Sequence, residues 1–293
     1  MRQDVEHKIV VNGLTTLQHY MTILYMKSKA LLMMAVIVIF VLIFIYIVNA
    51  RGDSTNETPL TEEVPISNEP SADISTDDTN KTEVDPANVD PSLFVTSTTI
   101  DNKYFKLPVG KKLVYGGDTA DGGYEKVEIT IPGETREILG VKTLVYLDKV
   151  WLSDELVEET KDYLAQDIYG NVWYFGEDVN NYENGKLLDH EGAWIAGVDG
   201  AEPGIWIKAN HIAGDSYKQE YYKGQAEDMR DVSSIGEPVN IKLGSYNDCV
   251  KMYDWTPLDP ESQEYKHYCS EVGAMVLETK PNTDERLELI SAN

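Results

Sequence analysis

Glu177 and Asp178 follow directly on Trp173-Tyr174-Phe175-Gly176. Acids beside aromatics at a strand end suit the binding of a sugar or a cation. Two carboxylates at a fixed separation across a cleft, one with a raised pKa, would also serve glycoside hydrolysis. The plainer reading of the same residues is a core strand running into a solvated turn. Acids are abundant here, 50 Asp+Glu against 25 Lys+Arg, so any one carboxylate pair is weak testimony. Trp194 and Trp206 join Trp173 and Tyr174 as candidate ligand-contacting aromatics, with ordinary core packing the alternative for each.

Other chemistries find less support. No G-x-S-x-G elbow occurs, and Ser216 (GDSY) and Ser245 (GSYN) lack that frame. His190, His211 and His267, the histidines beyond residue 50, have no H-x-x-x-H spacing, so they read as surface or half-buried sheet residues. Asn180 to Glu191 approaches an EF-hand loop, with Gly185 sixth and Glu191 twelfth. Tyr182 stands third and no helices flank it, so a hairpin turn explains it better. Asp118 and Asp121, in Gly-Gly-Asp-Thr-Ala-Asp-Gly-Gly, remain weak calcium candidates. No cofactor is expected.

Cys249 and Cys269 are equidistant from Asp259, within Thr256-Pro257-Leu258-Asp259-Pro260. A hairpin turning there sets them opposite one another, close enough for a cross-strand disulfide outside the cytoplasm. Closing a loop of that size stabilises by roughly 3 kcal/mol in the chain-entropy model. Two free buried thiols, or a metal role, are the alternatives.

The elements that must position these residues are strands. Lys112–Tyr115, Glu125–Ile131, Val141–Leu147, Asn171–Phe175, Val239–Leu243 and Glu285–Leu289 alternate apolar and polar residues and favour β-branched and aromatic types. Asp121-Gly122-Gly123, Tyr169-Gly170-Asn171 and Glu183-Asn184-Gly185-Lys186 supply turn chemistry between such runs. No amphipathic helix stands out beyond residue 50. The expectation is one all-β domain over residues 93–293, a large antiparallel sheet curled on its apolar face as a half-barrel or barrel.

Charge and hydropathy place that domain. Leu31 to Val48 carries no charge, Gly or Pro, and as a helix spans roughly 27 Å, enough for a membrane core. Arg2, Lys8, Lys27 and Lys29 precede it, so the positive-inside bias puts residues 1–30 in the cytoplasm and the bulk of the chain outside. Two fates fit residues 31–50: a retained anchor, which the length favours, or cleavage after Ala50, since Val48-Asn49-Ala50 is a small-x-small pattern. Translation could start at Met1, Met21 or Met26. Residues 51–92 are aromatic-free, with five prolines and eleven acids against two basic residues, and read as a disordered, self-repelling linker. Removing the first fifty residues (four basic, two acidic) leaves 21 basic against 48 acidic, a net −27. That balance excludes a nucleic-acid binder and argues against charge-driven docking on anionic lipid.

Some stretches look familiar. Lys103-Tyr104-Phe105-Lys106-Leu107-Pro108-Val109-Gly110, with Lys112-Leu113-Val114-Tyr115, resembles the Y-F-P-L-x-x-G-x-x-W-x-Y opening of a group of bacterial secreted proteins and lipoproteins. Ala165–Glu177, Ala196–Ala201 and Gly214–Tyr222 are similar to further blocks of that group. Leu113 stands where Trp is usual, Lys106 where Pro is usual, and no lipobox precedes them. The resemblance implies a secreted, sheet-rich domain without an assigned activity. More remotely the opening is similar to that of the LolA/LolB half-barrel lipoprotein carriers, which hold acyl chains on a concave sheet.

These readings converge on an extracytoplasmic β-domain, membrane-tethered by one helix or secreted, acting as a non-enzymatic binding or envelope-associated module. Its ligand would be an apolar or small molecule. A carboxylate-dependent carbohydrate hydrolase and a purely structural acidic surface protein are the alternatives.

Overall fold

The structure, a computed structural model, describes residues 89–293. The apolar run Leu31–Val48, the tail before it and the linker as far as residue 88 lie outside the described residues. Among the described residues no helix is long and apolar enough to cross a membrane.

The described chain opens with a 3-10 turn, Pro91–Leu93, capped by the Asp90 carboxylate, which accepts from the Ser92 N–H at 2.9 Å. Strands follow: β1 (Asp101–Asn102), β2 (Phe105–Lys106), β3 (Lys112–Asp118), β4 (Tyr124–Thr130), β5 (Thr135–Ile138) and β6 (Val141–Leu152). Then come β7 (Glu155–Gln166), β8 (Val172–Glu183), β9 (Lys186–Asp189), β10 (Trp194–Ile195), β11 (Gly204–Ile207) and β12 (Ser216–Lys218). The last are β13 (Met229–Ile241), β14 (Gly244–Trp255), β15 (Gln263–Cys269), β16 (Ala274–Thr279) and β17 (Arg286–Ala292).

Apart from the β1–β2 hairpin, these strands form a single antiparallel sheet in the order β10-β8-β7-β6-β4-β3-β17-β16-β15-β14-β13-β12. The domain is therefore all-β, and its ladder does not close into a barrel. An isolated antiparallel bridge, Glu202 with Tyr221, links the segments beside β11 and β12.

Alternation explains the curl, because each long strand offers one apolar face that must leave water. Side chains from strands far apart in the ladder meet on that face. Phe105, delivered by the β1–β2 hairpin, packs on Tyr146 of β6, Trp206 of β11 and Tyr268 of β15 at centroid distances of 5.9, 5.7 and 6.1 Å. Phe105 and Leu107 are almost wholly buried, so the hairpin seals this end of the interior. Arg230 of β13 is fully buried beside them. Its Nε and Nη2 donate to the Asp254 carboxylate at 2.7 and 2.6 Å, and Nη1 donates to the Trp206 carbonyl.

The turns follow the expected chemistry. Asn184 and Gly185, at φ 52° and 69°, close β8 onto β9 as a two-residue hairpin of the Asn-Gly kind. The Val239–Leu243 strand differs from expectation: β13 stops at Ile241 and the chain reverses through Lys242 and Leu243. A two-residue turn leaves the apolar/polar phase unbroken, so alternation alone does not reveal it. Cys249 and Cys269 are directly opposed on β14 and β15 and form a disulfide, with Cα atoms 4.0 Å apart.

Candidate functional site

The inner face of the sheet is aromatic at its sealed end and acidic beyond it. Register sets this gradient. Across β6, β7 and β8, Tyr146 faces Asp162, which faces Glu177, while Asp148 faces Thr160. Two acids thus lie on the face that also carries Leu144, Tyr146 and Leu164.

A bulge completes the set. Leu164 opposes Tyr174 and Asp162 opposes Glu177, so Phe175 and Gly176 together face Tyr163. Strict alternation would put Tyr174 and Glu177 on opposite faces; the extra residue brings them to the same one. Gly176 makes this possible. Its φ is 123°, and a Cβ there would stand 2.3 Å from the Trp194 carbonyl oxygen.

Tyr174 Oη donates to Asp162 Oδ1 at 2.6 Å, and Trp194 Nε1 donates to Glu220 Oε2 at 2.7 Å. The Trp194 and Trp206 rings pack edge-on against Tyr174 at 5.2 and 5.0 Å. Asp148 Oδ1, with no accessible surface, receives no hydrogen bond. Among the described residues, none of Asp148, Glu158, Asp162, Glu177 and Glu220 makes an ion pair.

Their proton affinities rise accordingly. Burial pushes the Asp148 carboxyl well above the usual carboxylate range, and the charges of Asp162 and Glu158 push it further. Burial also raises Asp162, against the hydrogen bond from Tyr174, and raises Glu177, which faces both Asp162 and Glu220. Glu220 is raised by burial and by Asp228. Further round the same face a cation is present: Lys266 Nζ stands 3.0, 3.4 and 3.7 Å from Glu264, Asp254 and Glu278. Those carboxylates hold its ammonium charged against the cost of burial.

Of the aromatics singled out in the sequence, Tyr174, Trp194 and Trp206 converge beside these acids. Trp173 does not join them. It points to the opposite face, where Nε1 donates to Asp167 Oδ2 at 3.0 Å and the ring packs on Phe94 at 5.7 Å. Glu177 and Asp178 also part company. Asp178 lies on the outer face with Arg136 at 3.1 Å and accepts from Tyr163 Oη at 2.5 Å, while Glu191 is exposed. Asp121 spends its Oδ1 on its own loop, accepting from Thr119 Oγ1 at 2.5 Å and the Gly123 N–H at 3.4 Å. Asp118, at the end of β3, is not grouped with it around an ion: among the described residues, no set of His, Cys, Asp or Glu is arranged to hold a metal.

Asp148, Glu158, Asp162, Glu220 and Lys266 were not legible as site residues from motifs. The signal that was available is an acid in an apolar phase, as in Tyr146-x-Asp148-x-Val150 and Thr160-x-Asp162-x-Leu164.

No family model matches the chain, and no curated protein matches it. A solved crystal structure described as a "putative lipoprotein" from Parabacteroides distasonis ATCC 8503 is similar at 14% identity, with a TM-score of 0.32. The match covers 65% of this chain and 98% of that one. That score is too low to assign a shared fold. The likeness of the opening motif to the secreted group and the lipoprotein carriers therefore stands on those motif residues alone.

Proposed function

We propose that the domain is a non-enzymatic extracytoplasmic binding module, tethered by the apolar run Leu31–Val48 or released after Ala50, whose ligand meets the acid-bearing inner face. The observation that carries this reading is the cluster of Asp148, Asp162 and Glu177, gathered by register and a bulge, with Glu220 brought beside them by Trp194 and no cation among them in the described residues. Burying neighbouring carboxyl groups without a cationic partner is costly, and apolar residues would pack a purely structural interior better. Local departures of that kind, with raised proton affinities, concentrate at functional sites. The oxidised Cys249–Cys269 pair supports an extracytoplasmic location.

Tyr174, Trp194 and Trp206 line the base of this surface and contribute apolar area and ring faces. Trp173 serves the packing of the outer face in this reading.

Native mass spectrometry of the full-length protein, purified from the envelope of its expressing host, tests the proposal. A stoichiometric adduct lost in Asp162→Asn is the expected result. A bare polypeptide mass, unchanged by that substitution, would instead favour the structural reading.

A second reading, a carboxylate-dependent carbohydrate hydrolase, is favoured by one observation: Asp162 and Glu177 oppose each other and both hold protons above the usual range. Its test is turnover of a glycan panel, with Glu177→Gln abolishing any product.

A further inference from the structure

We infer that the seam between β11 and β12 is a pH-operated gate, shut in mild acid and released toward alkaline pH through Glu220. The inference stands whatever ligand meets the inner face.

The sheet leaves one join to be made. One edge of β8 carries β9, β10 and β11, the ladder runs round from β8 to β12, and no ladder joins β11 to β12. Backbone pairing between these two ends is the isolated bridge, where the Glu202 N–H donates to the Tyr221 carbonyl at 2.8 Å. A join with so few backbone bonds opens before a continuous ladder does.

Close packing and one side chain supply the rest. Gly204, at the start of β11, lies so near the Gln219 backbone that a Cβ there would collide with that carbonyl oxygen. Trp194 of β10 reaches across to Glu220, donating at 2.7 Å. Glu220 therefore spans the seam one position from the bridge, and only 8% of it is exposed.

The groups around it are mostly acidic. The Gln219 and Glu220 N–H groups both donate to the Asp228 carbonyl, at 2.8 and 3.3 Å, so the connection between β12 and β13 brings Asp228 back beside Glu220. Asp162 of β7 and Glu177 of β8 act on Glu220 from the inner face. Asp228 in turn meets Thr256, Asp254 of β14, and Glu264 and Lys266 of β15. At the bridge stand Glu202 and Lys218, whose Nζ lies 3.5 Å from the Tyr221 ring centroid. Among the described residues Glu220 makes no ion pair.

In the closed seam burial, then Asp228, raise the Glu220 carboxyl to about 8; the Trp194 N–H favours the ionised form and is outweighed. Opened to water, the same carboxyl returns to about 4. The closed form thus holds the extra proton. Its advantage is complete below about pH 4 and is lost as pH climbs to about 8. An ionised Glu220 is a buried anion beside other acids, and parting the seam hydrates it. That movement uncovers Trp194 and the Tyr174 ring it packs against at 5.2 Å.

The test is amide hydrogen exchange of the full-length protein in detergent from pH 6 to pH 9, corrected for the intrinsic pH dependence of exchange. Opening of peptides containing Glu202 and Tyr221 is expected to increase by up to about tenfold per pH unit to about pH 8, then level off. Peptides of β14 and β15, joined by the disulfide, are expected to keep their protection. Glu220→Gln keeps an acceptor for Trp194 but cannot ionise, and should abolish the response. Asp228→Asn, which decides the matter if that variant fails to fold, should shrink the response and bring its levelling to lower pH. Seam protection that is constant across this range would overturn the inference. So would equal loss in every strand, which is global unfolding, or a full response retained in either folded variant.

Discussion

Arg230 shows how strongly one buried charge depends on its surroundings. It is fully buried, and its guanidinium is satisfied by the Asp254 carboxylate and the Trp206 carbonyl. Burial alone would lower its proton affinity, but Asp254 reverses that, and the carboxylate in turn is held below its ordinary range by Arg230 and Lys266. Removing one member of such a pair strands the other. Arg230→Met is therefore expected to destabilise the domain by about 3–5 kcal/mol in urea denaturation. Asp254→Asn in the same chain should recover part of the loss by deleting the stranded charge. An Arg230→Met variant as stable as the parent would show that the pair has relaxed to solvent, contrary to the geometry here.

At the scale of elements, most strands were legible because period-2 alternation and Gly/Asn turns have local causes. Lys112–Tyr115, Glu125–Ile131 and Val141–Leu147 fall in β3, β4 and β6, although β4 ends one residue sooner, at Thr130. The hairpin joining β6 to β7 gave less signal. It turns through Ser153 and Asp154, non-glycine residues held at φ 50° and 70°, so nothing in their types demanded a two-residue loop. The acid cluster was hidden for a different reason: a bulge resets the alternation, and which residue is extra depends on the partner strand. Glu177 was visible as an acid beside aromatics, but its separation from Asp178 and its meeting with Asp162 were not. Gly176→Ala tests this element directly. A Cβ against the Trp194 carbonyl, in a backbone region that costs a non-glycine residue about 1–3 kcal/mol, should lower Tm and perturb Trp194 fluorescence. The β14–β15 hairpin makes a second test. Joint replacement of Cys249 and Cys269 by Ser removes a link spanning 20 residues, and a loss of roughly 3 kcal/mol is expected in chemical denaturation.

For the whole molecule, the inward acids set how stability follows pH. Asp162 is raised to about 7 and Glu220 to about 8, while Asp148 and Glu177 are raised as well. In the unfolded chain these groups titrate at about 4. Between those values the native state binds more protons than the unfolded state, so stability falls as pH rises. Their contribution is complete below about pH 4 and is lost as pH climbs through the native values, to about 8. His211 works in the opposite sense: burial and the nearby Arg230, Lys103 and Lys208 lower it to about 4, so its contribution is lost as pH falls from about 6.5. The two trends place the stability maximum on the mildly acidic side. Net charge sharpens the alkaline limb, because self-repulsion grows toward the formal −18 of residues 93–293 (19 basic against 37 acidic) as the inner carboxyls ionise. Thermal unfolding is accordingly expected to show Tm declining from about pH 6 to about pH 8. Asp162→Asn and Glu177→Gln should each flatten that decline by removing a proton that the native state retains. A profile that instead rises across this range, or one that neither substitution changes, would mean that the inner carboxylates are ionised and solvated in the folded protein.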